Sequence, residues 1–265
     1  MSAAGSTLGR ATTRVIHEWW LLCAMLLVWI IASALNAVPN SVFPDIQTLA
    51  RSAASLVEGK VGVLGKLGDH LWVSAARFGA GYALAAGIGI VIGLAMAASR
   101  VVAALTLPII RILYPIPGLA WTPLVIMWCG IGETAVIVLI FVSAVWPIIY
   151  GAFDGFRNIP RSYFLVCRQL GATWGVRVRR VLVPAALPMI LSGLRLGHGM
   201  GWRAIVGAEM IAAVTGLGYM LNMGGELRRP EVVVVGMILI AVVNALLDRV
   251  VFGSLERRFI ARWKR

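Results

Sequence analysis

An all-α membrane fold with six transmembrane helices is predicted by three features of the sequence. The chain is 60% apolar and only 13% charged, whereas soluble domains average about 45–50% and about 25%. Long runs without Asp, Glu, Lys or Arg recur along its 265 residues, and a span needs roughly 20 such residues to cross the hydrocarbon layer. The basic residues are also divided unevenly between successive loops, as in proteins oriented in a bilayer. No linker rich in Pro, Gly or Ser separates two units, so residues 1–265 are expected to form a single transmembrane domain.

The first expected span is Trp19–Leu35. The basic segment before it has the look of a secretory leader, but no convincing cleavage site follows. With five further apolar runs downstream, a retained helix is the expected reading. Val38, Pro39, Asn40 and Pro44 then break the chain. The loop to about Asp69 balances Arg51, Lys60 and Lys66 against Asp45, Glu58 and Asp69. Its Ala-rich stretch from Ile46 to Val57 is expected to form a short surface helix, too small to be a substrate-binding domain.

The second span, Phe78–Ser99, carries small residues at intervals of four: Ala75, Gly79, Ala83, Gly87 and, on another line, Ala85, Gly89, Gly93, Ala97. Such spacing places them on common helix faces, where backbones can approach closely in lipid. The third span, Ile112–Gly132, is interrupted at Tyr114–Pro115–Ile116–Pro117–Gly118. Proline removes a backbone donor, and such breaks persist at membrane depth only where protein or water satisfies the freed groups. This break is expected to face the bundle interior, either to line a pathway or to serve packing.

Gly130–Ile131–Gly132–Glu133 reads as a tight external turn into the fourth span, Thr134–Phe153. From Asp154 to Val183 the pattern changes, and Arg, Gln, Thr and Trp appear among the apolar residues. Two short amphipathic helices joined at Gly171 are expected, the glycine taking the left-handed position beyond a helix end. Pro184 and Pro188 lead into the fifth span, about Leu187–Ile211, and Val232–Leu247 is the sixth.

The net charge of +13 is an orientation signal. Fifteen of the 24 Lys and Arg fall on one side: Arg10 and Arg14, Arg100, six between Arg157 and Arg180, and six from Arg249 to Arg265. The opposite side holds five: Arg51, Lys60, Lys66, Arg228 and Arg229. That bias places both termini and the 154–183 loop in the cytoplasm of an inner-membrane protein, and no nucleic-acid partner is expected.

Several chemistries are excluded. Lys60 and Lys66 follow glycines, but Val61 and Leu67 stand where a phosphate-binding loop needs Ser or Thr. Cys23, Cys129 and Cys167 are widely separated, and His17, His70 and His198 are isolated in sequence. No catalytic residue, metal site or bound cofactor is expected. What remains is charge inside apolar segments, costly enough to mark function by default. Glu209 sits among Ile205, Val206, Met210 and Ile211. It could contact a transported solute or pair structurally, but Arg203, six residues away, does not share its face. Arg195 is placed to snorkel toward the cytoplasmic end.

Arg168–Gln169–Leu170–Gly171–Ala172–Thr173, with nine residues between Gly171 and Val181–Leu182–Val183–Pro184, resembles the EAA loop of binding-protein-dependent ABC importer permeases. Leu165, Val166 and Cys167 replace the usual Glu-Ala-Ala. The segments Ile116–Leu124, Trp128–Glu133, Ala186–Arg195 and Ala208–Tyr219 are similar to the branch importing sulfonates, taurine and nitrate.

The resemblance implies a homodimeric permease that works with two ABC ATPase subunits, which bind ATP and Mg, and with an extracytoplasmic substrate-binding protein. It implies ATPase coupling through Arg161, Leu165, Arg168, Gln169, Leu170, Gly171, Ala172, Thr173 and Trp174. The mixed polarity of this segment suits a partly apolar groove with a polar rim. A translocation path for a small anion is expected near Arg77, Arg111, Tyr114, Pro117, Arg203 and Glu209. A single-component secondary transporter and an integral membrane enzyme are the alternative readings.

Overall fold

The computed structural model describes residues 44–255, together with scattered positions between 20 and 39. The expected first span therefore lies outside the described residues, apart from a helical stretch at 27–31. Every regular element among the described residues is a helix. Four of them are long and apolar enough to cross a membrane, and a pair bent by 91° is apolar enough to be a broken span or a re-entrant loop.

Helix α1 (Ile46–Glu58) is the short surface helix expected before the bundle. The Asp45 side chain accepts the Thr48 amide at 2.6 Å and caps its start, while Gly59, at φ 74°, ends it. Leu56 is buried in a cluster with Leu64, Leu217, Met220 and Val232.

Helix α2 (Leu67–Ala98) buries one face, from His70 and Ser74 through Arg77, Phe78, Gly81, Ala85, Gly89 and Gly93 to Met96. Only one of its two small-residue lines is used. Ala85, Gly89 and Gly93 face helix α5 (Glu133–Arg157), whereas Ala75, Gly79, Ala83 and Gly87 are exposed.

The third span departs from its expected form. Helix α3 (Arg100–Leu113) begins twelve residues earlier than predicted, capped by the Ser99 hydroxyl, and tolerates Pro108 inside it. It stops before Pro115 and Pro117, because two prolines two residues apart remove the donors a helix would need. The chain turns by 91° and resumes through a short 3₁₀ turn (Gly118–Trp121) into α4 (Thr122–Cys129). Pro115, Ile116 and Pro117 are exposed in the isolated subunit rather than turned into its interior.

The turn at Gly130–Gly132 is tied to the far end of the fifth expected span by the Gly132 amide, which donates to the Ala212 carbonyl at 2.9 Å. Helix α5 is the hub, with two thirds of its apolar window buried. It packs most extensively against α2 and α7 (Trp174–Ala212). A Cβ on Gly151 would lie 2.6 Å from the Gly193 Cα, and one on Gly193 would lie 2.7 Å from the Pro147 carbonyl. The two helices therefore touch backbone to backbone, which is how helices associate closely in lipid.

Between α5 and α7 lies the short helix α6 (Arg161–Gln169). Helix α7 runs unbroken from Trp174, so the second amphipathic helix expected after Gly171 and the fifth span are one continuous helix through Pro184. A wide π-type turn lies at Val178–Leu182, with the Val183 amide donating to the Val178 carbonyl. Shifting the hydrogen-bond ladder by one residue just ahead of a proline accommodates the donor that the ring lacks. Beyond α7 come α8 (Leu217–Glu226), not anticipated from sequence, and α9 (Pro230–Leu255).

Candidate functional site

Two ends of the bundle carry the residues singled out by sequence. At the first end, α2, α7 and the start of α8 converge on Glu209, which is completely buried. The Ser74 hydroxyl lies 2.8 Å from both carboxylate oxygens, the Gly218 amide donates to Oε2 at 3.0 Å, and Arg77 Nη1 lies 3.2 Å from Oε1. The same Nη1 donates to the Thr215 carbonyl at 2.7 Å, and Nη2 reaches the Thr215 hydroxyl at 3.2 Å. Nη2 is also 3.5 Å from Glu133, an exposed residue at the start of α5.

His70 completes this face of α2. Its Nδ1 accepts the Gly216 amide at 3.0 Å and its Nε2 lies 2.5 Å from the Leu64 carbonyl, so the ring carries its proton on Nε2. Residues 70, 74 and 77, one turn apart on α2, thus clamp the turn that precedes α8. Glycine is required at 216, where φ is 120° and a Cβ would collide with the Glu209 carboxylate. The carboxylate is neutralised and hydrogen-bonded on all sides, the condition under which a buried charge is sustained.

Arg77 and Glu209 therefore meet each other, and Arg203 pairs with neither. Arg203 is exposed, its Nε donates to the Gly199 carbonyl of its own helix, and it shares an open groove of about 320 Å³ with Pro117, Leu119, Ser143 and Met200. Of the six residues expected along a path, only Pro117 and Arg203 line this groove. Arg111 is exposed on α3 and Tyr114 packs beside Tyr150, with ring centroids 5.7 Å apart. Arg195 does more than snorkel: it forms a two-pronged pair with Asp248 on α9, at 2.8 and 2.6 Å.

The opposite end carries the basic residues Arg100, Arg157, Arg161, Arg168, Arg177, Arg179 and Arg180. Here Arg161 and Phe164 of α6 border a cavity with the ends of α2 and α5. Only Cys167 of α6 is buried. Tyr163, Phe164, Leu165 and Val166 are exposed, as are Leu170 at 79% and Trp174 at 70%. Arg161, Arg168, Gln169, Gly171 and Thr173 are exposed among them, and Ala172 is half-buried.

The bend is closed locally. The Ala172 amide donates to the Cys167 carbonyl at 3.0 Å, and the Gly171 amide to the Arg168 carbonyl at 3.1 Å. Gly171 holds φ at 62°, the left-handed position expected for it. Arg177 Nε returns to the Ala172 carbonyl at 2.8 Å and ties the bend to the start of α7. Leu165, Leu170 and Trp174 thus form an exposed apolar face around the bend, the kind of surface that marks an interaction site when it is contiguous.

Sequence reasoning missed Ser74, Thr215 and Asp248. Ser74 is the most readable of them, because it lies three residues before Arg77 on a face that is otherwise apolar or small.

The comparisons with known proteins agree with this architecture. Residues 87–260 match the family described as binding-protein-dependent transport system inner membrane component. The taurine transport system permease protein of Escherichia coli is 34% identical over 89% of this chain and 86% of its own length. The nitrate import permease protein of a Synechocystis species is 33% identical over 69% of this chain and 66% of its own. Among solved structures, an inward-facing methionine ABC transporter aligns with a TM-score of 0.53 and 22% identity, over 77% of this chain and 97% of that one, a likeness of fold.

Proposed function

The chain belongs to the binding-protein-dependent transport system inner membrane component family, and on that premise we propose that it couples an external solute-binding protein to ATPase subunits through the bend at Gly171. Two copies of the chain form the permease, two ATPase subunits sit beneath them in the cytoplasm, and α6 inserts its exposed apolar face into a groove on each ATPase. ATP-driven closure of the ATPases moves α6. Because the bend that follows α6 is tied to α7 by Arg177 Nε donating to the Ala172 carbonyl, that motion is passed to the helix carrying Arg203. Hydrolysis itself belongs to the ATPase, since this chain has no phosphate-binding loop.

One observation carries the reading: Leu165, Leu170 and Trp174 stand exposed around a left-handed glycine, in the connection between two helices long and apolar enough to cross a membrane. Burial of about 25 cal/mol per Å² of apolar surface rewards docking of such a face into a complementary groove. The basic residues clustered at this end favour the cytoplasm.

The cargo is a small anion of the sulfonate or nitrate type, drawn from what the relatives carry. The groove between Pro117 and Arg203 is its route, with the Arg203 guanidinium as the attracting charge. The Arg77–Glu209 pair is assigned to holding the external end together, because the Glu209 carboxylate is already saturated by Ser74, Arg77 and the Gly218 amide, although Arg77 Nε has no partner.

Reconstitution tests the proposal. Proteoliposomes containing this chain, its ATPase and its binding protein should accumulate taurine or nitrate only when ATP is present. Accumulation by the chain alone, driven by an ion gradient, would establish the secondary-transporter reading instead.

A further inference from the structure

A second cavity, of about 870 Å³, opens at the basic end of the bundle between the end of α2, the start of α3, the end of α5 and the inner side of α6. It is lined by three arginines from three different elements, Arg100, Arg157 and Arg161, and by no acidic residue. Among the described residues none of the three makes an ion pair, and Arg157 only stacks over Phe153, with its guanidinium carbon 5.4 Å from the ring centroid. The rest of the wall is apolar and includes Leu107, Phe153 and Phe164. The size is that of a small-molecule site. The composition, cationic at one place and apolar beyond it, matches a ligand with an anionic head and a hydrocarbon body.

We propose that this cavity binds one anionic phospholipid, its phosphate held by Arg100, Arg157 and Arg161 and an acyl chain laid along Leu107 and Phe153. Charge complementarity selects the occupant. Basic recesses between helices at the cytoplasmic boundary attract anionic headgroups, and guanidinium forks match phosphate geometry. Through Arg161 and Phe164 the lipid touches α6 from behind, so its occupancy sets how firmly the coupling element is seated. The inference rests on the proposed function in assigning the lipid to the cytoplasmic leaflet and in calling α6 the coupling element.

Binding is measured on the full chain, delipidated in detergent and titrated with dioleoyl phosphatidylglycerol or dioleoyl phosphatidylcholine, with lipid retention read by native mass spectrometry. Phosphatidylglycerol should be retained at one molecule per chain and phosphatidylcholine should not. The Arg100→Gln/Arg157→Gln variant, which leaves α6 unchanged, should lose roughly 30-fold in affinity, the effect of two basic side chains at an anionic headgroup. Arg179→Gln/Arg180→Gln should bind as the unaltered chain does.

A readout without any variant is amide exchange, which phosphatidylglycerol alone should slow at residues 96–107 and 156–164. Equal retention of the two lipids, or an equal loss in the Arg179/Arg180 variant, overturns the site. Displacement of the lipid by inorganic phosphate at matching affinity reassigns the arginines to a soluble anion and overturns it as well. Release of the lipid when the ATPase binds gives the cavity to the ATPase, with the same consequence. These readouts need neither sidedness nor transport, so their failure is distinguishable from failure of the coupling reading.

Discussion

Arg77 and Glu209, 132 residues apart in sequence, form a buried ion pair with 3.2 Å between Nη1 and Oε1. It joins α2 to α7 at the end opposite α6 and ties down the turn before α8 through Thr215 and Gly218. Two residues expected along a solute path thus contact each other.

Removing one partner should cost far more than the pair is worth. Arg77→Met leaves the Glu209 carboxylate buried without its cation, at a cost of about 3–5 kcal/mol. Arg77→Met combined with Glu209→Met should recover much of that loss. Thermal unfolding of the four species in one detergent gives the coupling energy, which should exceed about 1 kcal/mol. Additive losses would show that the two side chains do not stabilise each other.

The contact between α5 and α7 depends on the absence of side chains at Gly151 and Gly193. Gly193→Leu should destabilise the fold by about 1–3 kcal/mol, the range for overpacking an interior. Gly79→Ala on the exposed line of α2 meets nothing within 4 Å and should be neutral or slightly stabilising. The same unfolding assay compares them.

Outside the membrane, the Thr48 hydrogen bonds hold the Asp45 carboxyl below its ordinary value. A depressed folded-state pKa means that the cap contributes at pH above the usual carboxylate range and is lost as pH falls through the lowered value. Amide exchange in α1 should therefore accelerate on acidification. Asp45→Asn, which caps without titrating, should flatten that dependence.

Arg203→Gln should lower taurine or nitrate uptake on the order of tenfold, about 1.4 kcal/mol of lost attraction, without changing thermal stability. Arg111→Gln, away from the groove, should have the smaller effect. Initial rates in the reconstituted system measure both, and equal rates in Arg203→Gln and the parent would remove the guanidinium from the path.

What the sequence revealed was mostly local. The short helix α1, the glycine turn at 130–132 and the left-handed bend at Gly171 each depend on a few consecutive residues, and each was found where expected. The departures are tertiary. Glu209 could be recognised as an anomaly, but its partner lies on another helix, and only packing brings Arg77 to it. Ala75–Gly87 and Ala85–Ala97 look alike as small-residue lines, yet only the second meets α5. Pro184 reads locally as a boundary, but a π-type turn carries α7 through it. Helix α8 begins at a glycine whose place is fixed by Glu209, so its start had no local mark.

The central claim is that the exposed face around Gly171 is where the ATPase sits. A photoreactive benzoylphenylalanine placed at Leu170 in the assembled transporter, with a control at Val101, tests it directly. A light-dependent adduct should form between position 170 and the ATPase subunit, and none from position 101. An ATPase adduct from position 101 with none from 170 would contradict it.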